Sequence, residues 1–141
     1  MMMVRANRDS EAGVMPGEEL LTAMGKYNEK LAQAGALLAG EGLHPTAKGA
    51  RVRSGTRRTV VDGPFPENES IAGFWLIEAA SRDEAIEWAR RCPNPMEGES
   101  EIEIRQVFEA EDFGPELTPE LRQQEERLRA QTDQRSKAAQ R

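Results

Sequence analysis

Apolar residues recur along this chain with two different periods, and the alternation of the two periods predicts a mixed α+β fold. Residues 18–34 repeat at steps of about 3.6, with acidic residues in the first turn and Gly35 as the stop, which is typical of an amphipathic helix. The apolar side of this helix consists of Leu20, Leu21, Met24, Tyr27 and Leu31. A second helix begins at the Ser-x-x-Glu capping box of residues 81–84 and ends before Pro93.

Six shorter runs have the composition and the period of β-strands. They cover residues 1–6, 36–43 (interrupted by Gly40 and Gly42), 50–53, 57–61, 71–78 and 101–108. The connection Ser54-Gly55-Thr56 predicts a hairpin between the third and fourth strands. The fifth strand is apolar on both parities, which indicates a strand that is covered on both faces. Residues 7–17 contain several breakers and predict a loop.

These elements follow the order β-α-β, hairpin, β-α-β, which predicts a ferredoxin-like α+β domain with an inserted hairpin. In such a domain both helices lie on one face of an antiparallel sheet. The other face needs a cover, because residues 71–77 are apolar on both sides. We therefore expect a homodimer in which a second copy covers this face.

The composition changes after residue 113. Thr118-Pro119 predicts the N-cap and the first residue of a helix, but its apolar stripe is thin. We expect an α+β domain over residues 1–113, a helical extension over residues 114–131, and a polar, disordered tail over residues 132–141.

The net charge of −6 argues against a nucleic-acid partner, since that role requires a basic surface. The charges are unevenly distributed along the chain. Residues 48–58 form a basic block without an acid, and residues 97–112 form an acidic block broken only by Arg105. Either the two blocks are ordinary solvated surfaces, or they face each other within one subunit or across a dimer.

No apolar run approaches the ~20 residues that a membrane span needs, and the apolar residues 1–4 are too few for a secretory signal. The single cysteine, Cys92, excludes an intramolecular disulfide and favours a cytoplasmic location. Its helical spacing from Ala85 and Ala89 predicts a packing role rather than a nucleophile. The chain shows neither metal-ligand spacing nor a phosphate-binding glycine loop, so we expect no metal and no cofactor.

The most distinctive local feature is the turn Asp62-Gly63-Pro64-Phe65, between a β-branched run and the apolar fifth strand. Glycine reaches positive φ at low cost, proline fixes φ, and an aspartate bonds to the backbone two residues on. The sequence therefore predicts a tight corner that places the carboxylate of Asp62 at the mouth of a pocket.

This turn, together with Gly73-Phe74-Trp75-Leu76-Ile77-Glu78, resembles the DGPF branch of the YCII-related proteins. Similar stretches follow in order at residues 40–45, 91–93 and 101–105, and the resemblance covers residues 4–113. It implies a ferredoxin-like subunit that dimerises sheet to sheet into an α/β barrel. It also implies a regulatory or stress context, because members of this branch are often associated with alternative sigma factors.

Two departures limit what the resemblance implies. The branch commonly carries a lysine shortly after the signature, and residues 66–70 contain none. More distant YCII-like enzymes use a His-Asp pair with the histidine near the first helix, where this chain has no histidine. That catalytic pair is therefore not carried over.

The candidates for acid–base chemistry are His44, the only histidine, and Asp62. Both lie at predicted strand ends, so that His44 would act as the base and Asp62 would orient its imidazole. Phe65, Trp75 and Arg105 complete the predicted ligand pocket. The alternative is that His44 is an exposed turn residue and that Asp62 caps the turn.

Two classes of function fit these observations. In the first, the chain binds or transforms a small molecule in a pocket between the sheet and the helices, with Asp62 at the rim. In the second, it is a dimeric interaction or regulatory module, linked to sigma-factor-controlled transcription, that acts through its dimer or its C-terminal helix. The pattern favours the first class without deciding whether the chain is an enzyme.

Overall fold

The structure, a computed structural model, describes residues 1–139. Its helices and strands are β1 (Met2–Arg5), α1 (Arg8–Glu11), α2 (Glu18–Gln33), β2 (Leu37–Gly42), β3 (Ala50–Arg53), β4 (Thr59–Asp62), β5 (Ile71–Ile77), α3 (Arg82–Arg91), β6 (Ile102–Ile104) and α4 (Pro119–Ala139). The chain divides into two compact units, residues 1–106 and the part that begins at Val107. Among the described residues, no helix combines the length and the apolar character that crossing a bilayer requires.

The main sheet has four antiparallel strands in the order β2-β5-β1-β6, and β3 and β4 form a separate two-stranded sheet. α2 connects β1 to β2, and α3 connects β5 to β6. This strand order is consistent with a ferredoxin-like fold that has a hairpin inserted between its second and third main strands. The predicted mixed α+β architecture with antiparallel sheets is confirmed.

The core lies between the helices and one face of the main sheet. Met2 of β1 and Leu31 of α2 are fully buried there. Tyr27 of α2 meets the rings of Trp75 and Trp88 edge-on, with centroid distances of 5.9 and 6.4 Å. Its hydroxyl donates to the carbonyl of Trp88 at 2.7 Å, and burial raises the pKa of this phenol, so the donor keeps its proton. The tyrosine thereby joins α2, β5 and α3.

Residues 7–17 contain a short helix where the sequence predicts a loop. The Asn7 side chain accepts the N–H of Ser10, and the Ser10 hydroxyl accepts the N–H of Asn7, both at 2.9 Å. This reciprocal capping box stabilises α1, although the segment has no apolar period. The loop prediction was wrong for residues 8–11, because it rested on breakers and ignored local capping, whereas residues 12–17 form a loop as predicted.

Three strand boundaries also differ from the prediction. β2 runs through Gly40 without interruption. The connection between β3 and β4 covers residues 54–58 rather than three residues, because Arg53 pairs with Thr59. β6 is short, since its pairing with β1 ends where the N–H of Arg105 reaches the carbonyl of Met1 at 2.9 Å.

The face of the main sheet opposite the core presents Met3, Phe74 and Leu76, which are half-buried and lie outside the core. The register places them together, since Met3 pairs with Phe74 on one side and with Glu103 on the other. β5 is therefore apolar on both faces, as expected. The dimer that this pattern predicts stays a prediction.

The second unit is dominated by α4. Its N-cap is Thr118, whose hydroxyl accepts the N–H of Leu121 at 3.3 Å. α4 includes residues 132–139, which the sequence assigns to a polar tail, and it has no buried residue. Residues 140–141 of that predicted tail lie outside the described residues.

Candidate functional site

A cleft of about 1010 Å³ opens between α2 and the strands β2 and β5. This volume is at the upper end of the range of about 300–1,000 Å³ that is typical of small-molecule sites. Two loops complete the walls, residues 13–17 before α2 and residues 93–97 after α3. The cleft therefore collects segments that are far apart in sequence.

Three glycines lie on the strands that form the floor of the cleft. Gly40 pairs with Trp75, and Gly42 pairs with Gly73, which puts all three glycines on the Trp75 face of the sheet. A Cβ at Gly40 would lie 2.9 Å from Trp75 Cδ1, and a Cβ at Gly73 would lie 2.9 Å from the carbonyl oxygen of Glu41. A Cβ at Gly42 would meet no atom within 4 Å. The first two glycines permit close packing, and the third leaves free space.

One wall is the face of α2 formed by Leu20, Met24 and Asn28, which are four residues apart and so lie on one side of the helix. The amide oxygen of Asn28 accepts the indole N–H of Trp75 at 2.9 Å. This bond satisfies the polar atom of the tryptophan and fixes the indole at the floor. The wall and the floor are thus joined by a specific contact.

The rim of the cleft exposes apolar side chains. Four of its lining residues are among the most exposed large apolar residues of the chain: Val14 (60% exposed), Met15 (81%), Leu21 (57%) and Leu43 (46%). Scattered exposed apolar residues are ordinary, but a group of them around one concavity is typical of a binding site.

The charged groups of the cleft have one sign. Asp9, Glu19 and Glu97 line it and are exposed. Glu41 also borders it, but Glu41 pairs with Phe74, so its side chain lies on the opposite face of the sheet. None of the lysines and arginines in residues 1–139 lines it. His44 is the only other titratable side chain in the lining.

The turn Asp62-Gly63-Pro64-Phe65 lies outside this lining and is hydrogen-bonded to the loop that follows His44. The N–H of Phe65 donates to the hydroxyl of Thr46 at 2.9 Å, and the N–H of Gly63 donates to the carbonyl of Gly49 at 3.0 Å. Thr46 is in turn held by the carboxylate of Glu11, which accepts both its N–H and its hydroxyl. Because His44 and Pro45 precede Thr46 directly, the turn fixes the loop that forms part of the rim.

Gly63 is required for a different reason from the one that the sequence suggests. Its φ is not positive, since the positive-φ glycines are elsewhere in the chain. A Cβ at this position would instead lie 1.8 Å from the carbonyl oxygen of Thr46, a backbone atom. The prediction that this tight corner needs a glycine with positive φ is therefore corrected: the glycine permits a close approach of two backbone segments.

The structure separates the five residues that the sequence proposed for the site. His44 and Trp75 line the cleft, whereas Asp62, Phe65 and Arg105 do not. No hydrogen bond joins the side chains of His44 and Asp62, the predicted base and its orienting carboxylate.

Each of the three outlying residues has a topological reason for its position. Asp62 is exposed at the end of β4, in the separate two-stranded sheet. Phe65 packs under the guanidinium of Arg51, 4.0 Å from its ring centroid. Arg105 follows β6, at the opposite edge of the main sheet from β2, and its side chain is 3.7 Å from that of Glu103.

Cys92 has the surroundings of a structural thiol. It is half-buried, burial raises its pKa to about 11, and its sulfur lies 3.3 Å from the carbonyl oxygen of Pro93. A thiol with a raised pKa forms little of the reactive thiolate at neutral pH. Within the described part of the chain, no group of three or more His, Cys, Asp or Glu side chains is arranged to hold a metal ion.

The fold and the cleft define a small α+β protein with a ligand-sized cavity between a helix and an antiparallel sheet. The chain belongs to the YCII-related family, since residues 1–111 match the YCII-related domain. It is also similar to an uncharacterized protein of Rhizobium meliloti (strain 1021), with 36% identity over 90 residues that cover 62% of this chain and 73% of that protein.

Proposed function

We propose that this YCII-related protein binds a small, largely apolar molecule in the cleft, with His44 at the rim as its acid–base group. The observation that carries the proposal is the combination of a glycine floor with exposed apolar side chains around the same opening. A ligand that covers exposed apolar surface in a concavity removes it from water, and this burial stabilises the complex. Imidazole is the side chain best suited to exchange a proton near neutral pH, so His44 is the group through which turnover would occur.

The substitution Gly42→Leu tests this proposal. The site of the new side chain is open space within the cleft, so leucine should occupy the ligand volume without displacing the backbone. We expect wild-type protein to bind Nile red, a neutral dye that fluoresces in apolar surroundings, saturably, and the variant to lose at least about tenfold in affinity.

Gly25→Leu is the matched control. Gly25 lies on α2 outside the lining of the cleft, and a Cβ at this position would meet no atom within 4 Å. This variant should bind the dye as the wild type does. Equal dye binding by the Gly42 and Gly25 variants would show that the dye, and by extension the ligand, does not use the cleft.

The dimer is a further part of the proposal. We propose that two copies pack through the sheet face that carries Met3, Phe74 and Leu76, forming a dimeric α/β barrel. Its support is the half-buried apolar character of that face. Light scattering at micromolar concentration should give twice the chain mass, and Leu76→Glu should give monomers. A monomeric wild-type protein would exclude this assembly.

The DGPF branch is likewise a proposal, supported by the Asp62-Gly63-Pro64-Phe65 turn and its role behind the rim. An interaction module is the second candidate function. The observation that favours it is α4, a helix of 21 residues on which Leu121 and Leu128 are exposed. The apolar stripe of α4 is thin, and the cleft offers a more defined site. The expected cytoplasmic location stays a prediction.

A further inference from the structure

The cleft is apolar inside and carries charge of only one sign at its edge. Glu41 of β2 borders the cleft, but it pairs with Phe74, so its side chain lies on the opposite face of the sheet. The other three carboxylates of the lining, on Asp9, Glu19 and Glu97, come from three separate segments: α1, α2 and the loop after α3. None of them forms an ion pair within residues 1–139. Their charges are therefore not neutralised by the protein itself.

Charges of one sign around a concave, apolar site focus their field into it. An anionic ligand entering this cleft would meet three carboxylates and no lysine or arginine to receive its charge. A cationic ligand would be attracted to the rim while its apolar part is buried against residues such as Leu20, Met24 and Trp75.

We infer that the ligand class of the cleft is a cation with an apolar body, an alkyl or aryl amine, and that carboxylates and phosphates are excluded. This inference rests on the proposed function, since it assigns a charge to the ligand of the same cleft. The apolar part of the ligand follows from the exposed side chains of the rim, and the cationic part follows from the unpaired carboxylates.

Competition against bound Nile red tests the inference with three probes of equal chain length: octylamine, 1-octanol and octanoate. At low ionic strength, octylamine should displace the dye at a concentration about tenfold lower than octanoate, with octanol between them. High salt should reduce the difference to about twofold, because it screens exposed charges.

The variant that removes the rim charges carries Asp9→Asn, Glu19→Gln and Glu97→Gln. It should keep its affinity for the neutral dye and lose the preference for the amine. The matched control changes net charge by the same amount outside the cleft, through Glu29→Gln, Glu67→Gln and Glu78→Gln, residues that are exposed and absent from the lining. It should keep the preference.

The outcomes separate this inference from the proposed function. Saturable dye binding with equal displacement by octylamine and octanoate would overturn the charge assignment and leave the binding site standing. A control variant that loses the preference as fully as the rim variant would also overturn it, since net charge would then explain the effect. Absence of saturable dye binding in the wild type would overturn the proposed function and the inference together.

Discussion

Replacing Gly63 by alanine is expected to destabilise the protein strongly, although it adds one methyl group. The new Cβ would lie 1.8 Å from the carbonyl oxygen of Thr46, where real contacts stay above 3.0 Å, so one of the two backbone segments must move by at least 1.2 Å. The movement cannot be relieved by a side-chain rotation, because the atom in contact belongs to the backbone. The movement would also weaken two hydrogen bonds, since Gly63 and Phe65 each donate an N–H to the neighbouring loop.

The size of the effect follows from these contacts. Overpacking of this kind costs about 1–3 kcal/mol, and each weakened hydrogen bond costs about 0.5–1.5 kcal/mol. Because the same shift relieves the clash and weakens the bonds, we expect a total of about 2–4 kcal/mol. For a chain of this length, that loss lowers the melting temperature by about 6–15 °C.

Urea unfolding followed by circular dichroism measures the difference, with Gly25→Ala as the control. Gly25 lies inside α2, and a Cβ there meets nothing within 4 Å. Alanine at that position should raise stability by about 0.5–1 kcal/mol, because it lowers the conformational entropy of the unfolded chain. If Gly63→Ala unfolds at the same urea concentration as the wild type, the two backbone segments are not in close contact and the reasoning fails.

Two further predictions concern single side chains. Thr46→Val keeps the shape of the residue but removes the hydroxyl that joins Phe65 to Glu11, so it should lower the free energy of unfolding by about 1–3 kcal/mol; a variant as stable as the wild type in urea would contradict this. The thiol of Cys92 has a folded-state pKa of about 11 against an ordinary 9.0, so the native state binds its proton more tightly. The stability that this tighter proton binding contributes is complete below pH 9 and is lost as the pH rises towards 11. Cys92→Ala removes the thiol, so the free energy of unfolding of the variant should fall less steeply than that of the wild type between about pH 9 and pH 11. Parallel pH profiles of the urea midpoint for the two proteins would refute it.

Much of the fold could be predicted because its main signals are local. The period of α2 and the Ser81 cap of α3 placed both helices within a residue of their observed bounds. The order of the elements was sufficient to indicate the ferredoxin-like arrangement, which the strand order supports. The errors in the predicted secondary structure arose where an element depends on interactions other than the spacing of apolar residues, such as the reciprocal capping box of α1.

The candidate site depends on contacts between segments that are distant in sequence. The sequence proposed Asp62 and His44 for one cavity since both end strands; His44 lines the cleft, whereas Asp62 lies outside the lining, in the turn that is bonded to the loop after His44. Trp75, which the sequence proposes for the ligand pocket, lies in the lining of the cleft, and the structure adds its partner Asn28. Nothing in the spacing of Asn28 and Trp75, 47 residues apart, indicates that contact.

The glycines of the cleft illustrate how a site can be defined by the side chains that are missing. Gly40 and Gly42 were interpreted as interruptions of β2, yet glycine inside a strand also marks the place where another group approaches the backbone. At Gly40 the group that approaches the backbone is the indole of Trp75. At Gly42 no protein group approaches, and the open space there belongs to the cleft. A residue larger than glycine at position 42 would occupy part of that space, so this strand position limits the volume that is left for a ligand. The size of the side chain at position 42 should therefore tune which ligands fit, while the rim carboxylates tune their charge.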